Sequence, residues 1–83
     1  MSAFLYIIQN PKGMYYVGAT EDLDRRLAEH DRGQNTSTRG RGHWILVYTE
    51  AHPTFVDAHT REREIKRKKR KSYVDWLVKG RIE

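Results

Sequence analysis

Met14-Tyr15-Tyr16-Val17-Gly18-Ala19-Thr20-Glu21-Asp22-Leu23-Asp24-Arg25-Arg26-Leu27-Ala28-Glu29-His30 is the stretch on which the fold turns. Its first five residues are rich in strand formers and end on a glycine, which predicts a strand over Met14 to Gly18. Thr20 then reads as a helix N-cap, with Glu21 and Asp22 placed where the positive end of a helix favours carboxylates. Leu23 and Leu27 follow at helical spacing. A chain that passes this abruptly from strand to helix belongs to a mixed class, and the neighbours on either side show which one.

Upstream, Phe4 to Ile8 is a second apolar run of strand type. It is joined to the first by Asn10-Pro11-Lys12-Gly13, where proline presets its φ and glycine tolerates a positive one. The two runs read as an antiparallel hairpin. Downstream, the first helix should stop near Gly33. Gln34 to Gly42 is polar and carries Arg39 and Arg41, as an exposed basic loop would, and Trp44 to Tyr48 is a third strand. His52-Pro53-Thr54 breaks the chain, and Thr54 with Asp57 resembles a capping box that opens a second helix, from about Phe55 to Arg70. Ser72 with Asp75 is a similar start signal for a third, whose apolar face would be Tyr73, Trp76 and Leu77; one continuous helix through 55–79 is the other reading. The fold class is therefore α+β: a three-stranded antiparallel sheet flanked by helices, in the order β-β-α-β-α-α. Helices over one face would close the core, bringing Leu23, Leu27, Ile65 and Trp76 together.

The chain has 83 residues, a length that suits a single domain over 1–83 with a thin core. Sixteen Lys and Arg against eleven Asp and Glu give a net charge of +5, which favours a polyanionic partner. The absence of cysteine excludes disulfides and thiolate metal sites. Met1-Ser2-Ala3 carries no basic segment of the signal-peptide kind, and no stretch approaches the roughly 18 apolar residues of a membrane span. A cytoplasmic protein with no membrane association is the expectation.

Several polar residues fall where the periodicity calls for apolar ones. Leu23, Arg26, Leu27 and His30 share one helix face, whereas Arg25 points about 200° away from Leu23 at roughly 100° per residue. Arg26 and His30 therefore lie on or beside the buried stripe. Phe55, Ala58, Glu62, Ile65 and Lys69 make a second stripe, with Glu62 in its middle. A carboxylate there needs a partner, either an arginine or a metal. Mg²⁺ suits a site with a single carboxylate because it keeps several waters and takes substrate phosphates as ligands. Tyr6 and Tyr16 stand in the paired strands, though the turn alone does not show whether they share a face. Arg61 to Lys71 holds eight basic residues and two acids, either a solvated helix face or a phosphate-contacting patch.

These residues resemble the motifs of the GIY-YIG nucleases. Phe4-Leu5-Tyr6 and Tyr16-Val17-Gly18 are similar to the paired motifs that name the family. Thr20 through Asp22-Leu23-Asp24-Arg25-Arg26-Leu27 to His30 looks like its first helix, Trp44 to Glu50 like its third strand, and Arg61-Glu62-Arg63-Glu64-Ile65-Lys66 like its second helix. The likeness spans about residues 3–77 and departs from the pattern in Phe4, which replaces a glycine, and in having no asparagine after Asn35.

The resemblance implies an endonuclease that hydrolyses phosphodiester bonds in DNA with one divalent metal, Mg²⁺ or Mn²⁺, in a repair or recombination setting. It implies that Tyr6 and Tyr16 are the two motif tyrosines, one of which deprotonates or orients the attacking water, that Arg26 holds the scissile phosphate, that His30 assists proton transfer or phosphate contact, and that Glu62 is the metal ligand. From their charge rather than from the resemblance, Arg39, Arg41, Lys66, Lys69 and Arg70 are expected to form a rim that contacts nucleic acid. A non-catalytic nucleic-acid-binding module on the same scaffold is the alternative, and a plain interaction domain a third.

Overall fold

The computed structural model describes residues 2–33, 38–40 and 42–80. Three strands and three helices follow in the order β1 (Ala3–Gln9), β2 (Tyr15–Thr20), α1 (Leu23–Asp31), β3 (Ile45–His52), α2 (Phe55–Lys68) and α3 (Lys71–Val78). The sheet is antiparallel throughout, with β1 in the middle of the order β2-β1-β3. This is the expected α+β class and element order.

The hairpin between β1 and β2 is built by Asn10. Its side-chain oxygen accepts from the backbone N–H groups of Lys12 (3.1 Å) and Met14 (2.8 Å), and its carbonyl accepts from Gly13 N–H at 3.0 Å. Gly13 takes a φ of +84°, which a glycine adopts without a Cβ clash. The register that follows pairs Tyr6 with Gly18 and Ile8 with Tyr16, so Tyr6 and Tyr16 share a face.

One expectation is corrected: helices cover both faces of the sheet. Leu5, Ile7 and Val17 pack with Ile65 of α2 and with Val74 and Leu77 of α3; Tyr6 and Ile8 pack with Trp44 and with Leu23 and Leu27 of α1. Leu23 and Leu27 therefore do not meet Ile65 in one core. The continuous apolar run of β1 is the cause, since a strand buried on both faces does not alternate. Leu5, Tyr6, Ile7 and Ile8 are all fully buried, and each aliphatic side chain among them contributes about 1.5–3 kcal/mol. Trp76 stays about half exposed and lies beside the Tyr73 ring, because α3 turns Val74 and Leu77 inward instead.

Helix boundaries differ in detail. Asp22, not Thr20, caps α1 by accepting from Arg25 N–H at 3.1 Å; Thr20 accepts from Asp22 N–H one turn earlier. Thr54 caps α2, as its spacing from Asp57 predicts. α2 and α3 are separate helices, divided at Lys69, whose φ of +52° is left-handed. Arg70 rather than Ser72 stands at the start of α3, and the Asp75 carboxylate accepts from the Tyr15 hydroxyl instead of capping. No described helix is long and apolar enough to cross a membrane.

Candidate active site

The Tyr6 hydroxyl is the centre of a polar cluster on the α1 face of the sheet. It lies 2.9 Å from His30 Nε2 and accepts from Arg26 Nε at 3.2 Å. Tyr16 stacks on Tyr6 with ring centroids 6.4 Å apart and meets the His30 ring edge-on at 4.9 Å. Strand pairing and helix periodicity together bring these four side chains to one place. The diagonal register sets Tyr6 beside Tyr16, and the i, i+4 spacing on α1 sets Arg26 above His30.

Gly18 makes room for the cluster. A Cβ at that position would fall 2.5 Å from the Tyr6 hydroxyl oxygen, so the ring lies flat over β2 only because its cross-strand partner has no side chain. Trp44 and Thr38 complete the surroundings. His30 Nδ1 is 2.9 Å from Thr38 Oγ1, and Trp44 Nε1 donates to the Thr38 carbonyl at 3.0 Å. Thr38 is fully buried, which corrects the expectation that the whole of Gln34 to Gly42 is exposed loop. Neither residue carried a functional signal in the sequence; a threonine in a polar loop looks like any other.

The electrostatics follow from burial. Desolvation holds His30 below the ordinary histidine range, and the Arg26 charge pushes the same way, so His30 is neutral at pH 7. With the Tyr6 O–H donating to Nε2, the proton on Nδ1 is free to donate to Thr38. Burial raises Tyr6 to about 12 despite the bond from Arg26, so Tyr6 keeps its proton in the resting protein. Arg26 also pairs with Glu29 at 2.9 Å on the partly exposed rim.

Glu62 approaches this group from α2 by way of Lys66. Its side chain is 14% exposed, and Lys66 Nζ lies 2.7 Å from its Oε2. The same ammonium sits 5.6 Å from the centroid of the Tyr16 ring, and Glu62 is close enough to Tyr6 to raise its pKa electrostatically. The cation that a carboxylate on this stripe requires is thus a lysine one turn on, rather than an arginine.

Lys69 and Arg70 are exposed at the junction of α2 and α3. Arg39 is exposed and packs back on Gly33 at the end of α1, and Arg41 lies outside the described residues. Among the described residues there is no group of three or more His, Cys, Asp or Glu that could hold a metal. Glu62 offers one carboxylate. That fits a hard cation which completes its shell with water and phosphate oxygens, and does not fit zinc, which takes three or four protein ligands.

A small α+β scaffold thus brings two tyrosines, an arginine and a histidine together beside its central strand, with a carboxylate nearby on α2. A family model for the GIY-YIG catalytic domain matches residues 2–74, and the chain belongs to that family, whose substrates are nucleic acids. It is similar to UPF0213 protein BH0048 of Halalkalibacterium halodurans, with 40% identity over 67 residues, covering 80% of this chain and 71% of that one. A UPF0213 protein of Streptococcus pneumoniae is 36% identical over 76 residues, covering 90% and 77%. The solution NMR structure of BH0048 from Bacillus halodurans matches with a TM-score of 0.60 at 36% identity, covering 95% of this chain and 84% of that one.

Proposed function

We propose that the chain is a metal-dependent endonuclease that hydrolyses phosphodiester bonds in DNA, acting in the cytoplasm in repair or recombination. The observation that carries this reading is the Tyr6 hydroxyl, held at once by His30 and Arg26 and flanked by Tyr16. Phosphodiester hydrolysis needs positive charge against the phosphoryl oxygens and an acceptor for the proton of the attacking water.

Arg26 supplies the charge. Its Nε is fixed by Tyr6 and its Nη1 by Glu29, which presents the remaining guanidinium N–H groups to a phosphate. Tyr6 is fully buried, so it positions Arg26 and His30 and does not meet the water. Tyr16, partly exposed beside the His30 ring, is the tyrosine that faces the water. His30, neutral, backed by Thr38 and edge-on to the Tyr16 ring, is the acceptor for the proton that Tyr16 relays from the water, Tyr16 taking one proton as it gives up its own. Glu62 would hold a Mg²⁺ or Mn²⁺ ion, which supplies further charge to the phosphoryl group and lowers the pKa of water.

One observation favours the alternative of a non-catalytic nucleic-acid-binding module: Lys66 already satisfies Glu62 without a metal. Plasmid, branched DNA and single strands incubated with Mg²⁺ or Mn²⁺ separate the two. The nuclease reading expects cleavage by the wild type and a loss on the order of 10³-fold in Glu62→Gln, with unfolding temperature and DNA binding little changed. A wild type that binds DNA but cuts with neither ion leaves the module.

A further inference from the structure

On the other face of β2 lies a groove between the hairpin tip and the α2–α3 junction, with a volume of about 450 Å³. Five cationic residues border it: Lys12 from the hairpin, Lys66 and Lys69 from the end of α2, and Arg70 and Lys71 from the start of α3. Its floor is apolar, made by Val17, Ile65 and Val74, with the Tyr15 ring on one side. No described carboxylate lines it, and of the five cations only Lys66 has one, Glu62 at 2.7 Å. Among the described residues, Lys12, Lys69, Arg70 and Lys71 form no ion pair. Like charges gathered without a counter-ion repel one another, and an anionic occupant removes that repulsion.

Lys69 adds an independent sign. It is the only described non-glycine residue with a positive φ, at a helix end where glycine is the unstrained choice. The chain holds a lysine there in spite of the backbone strain, and that lysine lines the groove. Lys66 links the groove to the candidate active site, since it borders the groove while its ammonium lies over Tyr16 and against Glu62. Tyr15 and Tyr16 are consecutive residues on opposite faces of β2, so a strand that rounds this edge meets both.

We propose that the groove is a binding subsite for the sugar–phosphate backbone of the nucleic acid flanking the reacting phosphate. Its phosphates pair with Lys12, Lys69, Arg70 and Lys71, and its sugar faces rest on the apolar floor. Lys12 becomes a nucleic-acid contact outside the basic run, and within the run the groove selects Lys69, Arg70 and Lys71. The proposal rests on the nucleic-acid reading of the site given above.

The test is fluorescence anisotropy of a short labelled duplex in EDTA, across a KCl series, with wild type, Lys12→Gln/Lys71→Gln and Lys69→Gly. Each phosphate contact contributes about 0.9 to the slope of log affinity against log salt on duplex DNA. The double variant should lose about two contacts, binding at least tenfold more weakly near physiological salt with a shallower slope. Lys69→Gly should melt no earlier than wild type, since glycine relaxes that φ, yet bind more weakly; if the double variant misfolds, this variant decides alone. Wild-type affinity and slope in a folded double variant would overturn the subsite, even if the wild type cuts DNA. A wild type that ignores the duplex but binds phosphatidylglycerol vesicles would overturn it in favour of a membrane surface. Weaker binding in both variants alongside a wild type that cuts nothing would keep the subsite and remove only the nuclease reading.

Discussion

The two faces of β1 carry two polar networks, and they are closed in different ways. Beneath α2 and α3, Glu50 lies opposite Leu5 and accepts from Arg61 Nε at 3.1 and 3.2 Å and from Nη2 at 3.2 Å. Tyr48 donates to the same carboxylate, and His52 Nε2 lies 3.0 Å from it. Burial alone would raise Glu50, but the bonds from Arg61, Tyr48 and His52 outweigh it and hold the carboxyl below its usual range. Arg61 also reaches the Tyr73 hydroxyl of α3, so one charge pair ties β3, α2 and α3 together. Under α1, no described carboxylate touches the buried hydroxyl of Tyr6; its partners are a neutral histidine and an arginine whose own acid, Glu29, is out on the rim. A network in which each charge meets its opposite is spent on holding elements together. A network of hydroxyls, a neutral imidazole and a rim cation keeps the capacity to bind an anion and move a proton.

Matched substitutions can break this contrast. The largest effect is expected from Arg26→Lys, which loses the guanidinium fork and should slow cleavage by about 10²–10³-fold with little change in unfolding temperature. A slow but early-melting variant would make Arg26 part of the framework instead. On the opposite face Glu50→Gln leaves Arg61 uncompensated and should cost roughly 3 kcal/mol in urea unfolding, while the folded fraction still cuts. If cleavage per folded molecule falls as far as in Arg26→Lys, the two networks are not separable.

Gly18→Ala probes how tightly the open network is packed. The added methyl collides with the Tyr6 hydroxyl, so a loss of about 1–3 kcal/mol is expected, together with weaker cleavage. Unchanged stability would mean the Tyr6 ring has another place to go.

A smaller effect comes from pH. His30 has its folded pKa below the unfolded value of 6.5, so the stability it contributes is complete above pH 6.5 and drains away as pH falls through its folded pKa. Cleavage that needs neutral His30 should decline on the same acid limb. His30→Gln should flatten this part of the unfolding curve; an unaltered acid limb would point to another group.

The smallest is Trp76→Ser, expected to cost less than about 1 kcal/mol because the ring is half exposed, against about 2–5 kcal/mol for its buried neighbour in Leu77→Ala. Equal costs would restore Trp76 to the core.

Legibility varied by residue type. Glu62, Arg26 and His30 stood out in the sequence because a charge or an imidazole on an apolar stripe is conspicuous. The Thr54 cap and the glycine end of α1 were legible because capping is settled within one turn. Thr38 and Trp44, which hold the His30 ring, were not, since a short hydroxyl side chain gives no sign of which distant donor it will meet. Ser72 and Thr20 misled for a related reason: several nearby residues can cap a helix, and packing selects among them.

What the sequence by itself determined is local or periodic: the order of strands and helices, the Asn10–Gly13 turn, and the stripes that carry Arg26, His30 and Glu62. Only the tertiary structure decided that Tyr6 and Tyr16 share a face, that α1 lies on the face of the sheet opposite α2 and α3, that Lys66 rather than an arginine meets Glu62, and that Lys12 and Lys71 border the same groove. Periodicity fixes directions within one element, whereas register and docking depend on contacts between residues far apart in the chain, and those are settled only when the whole core packs.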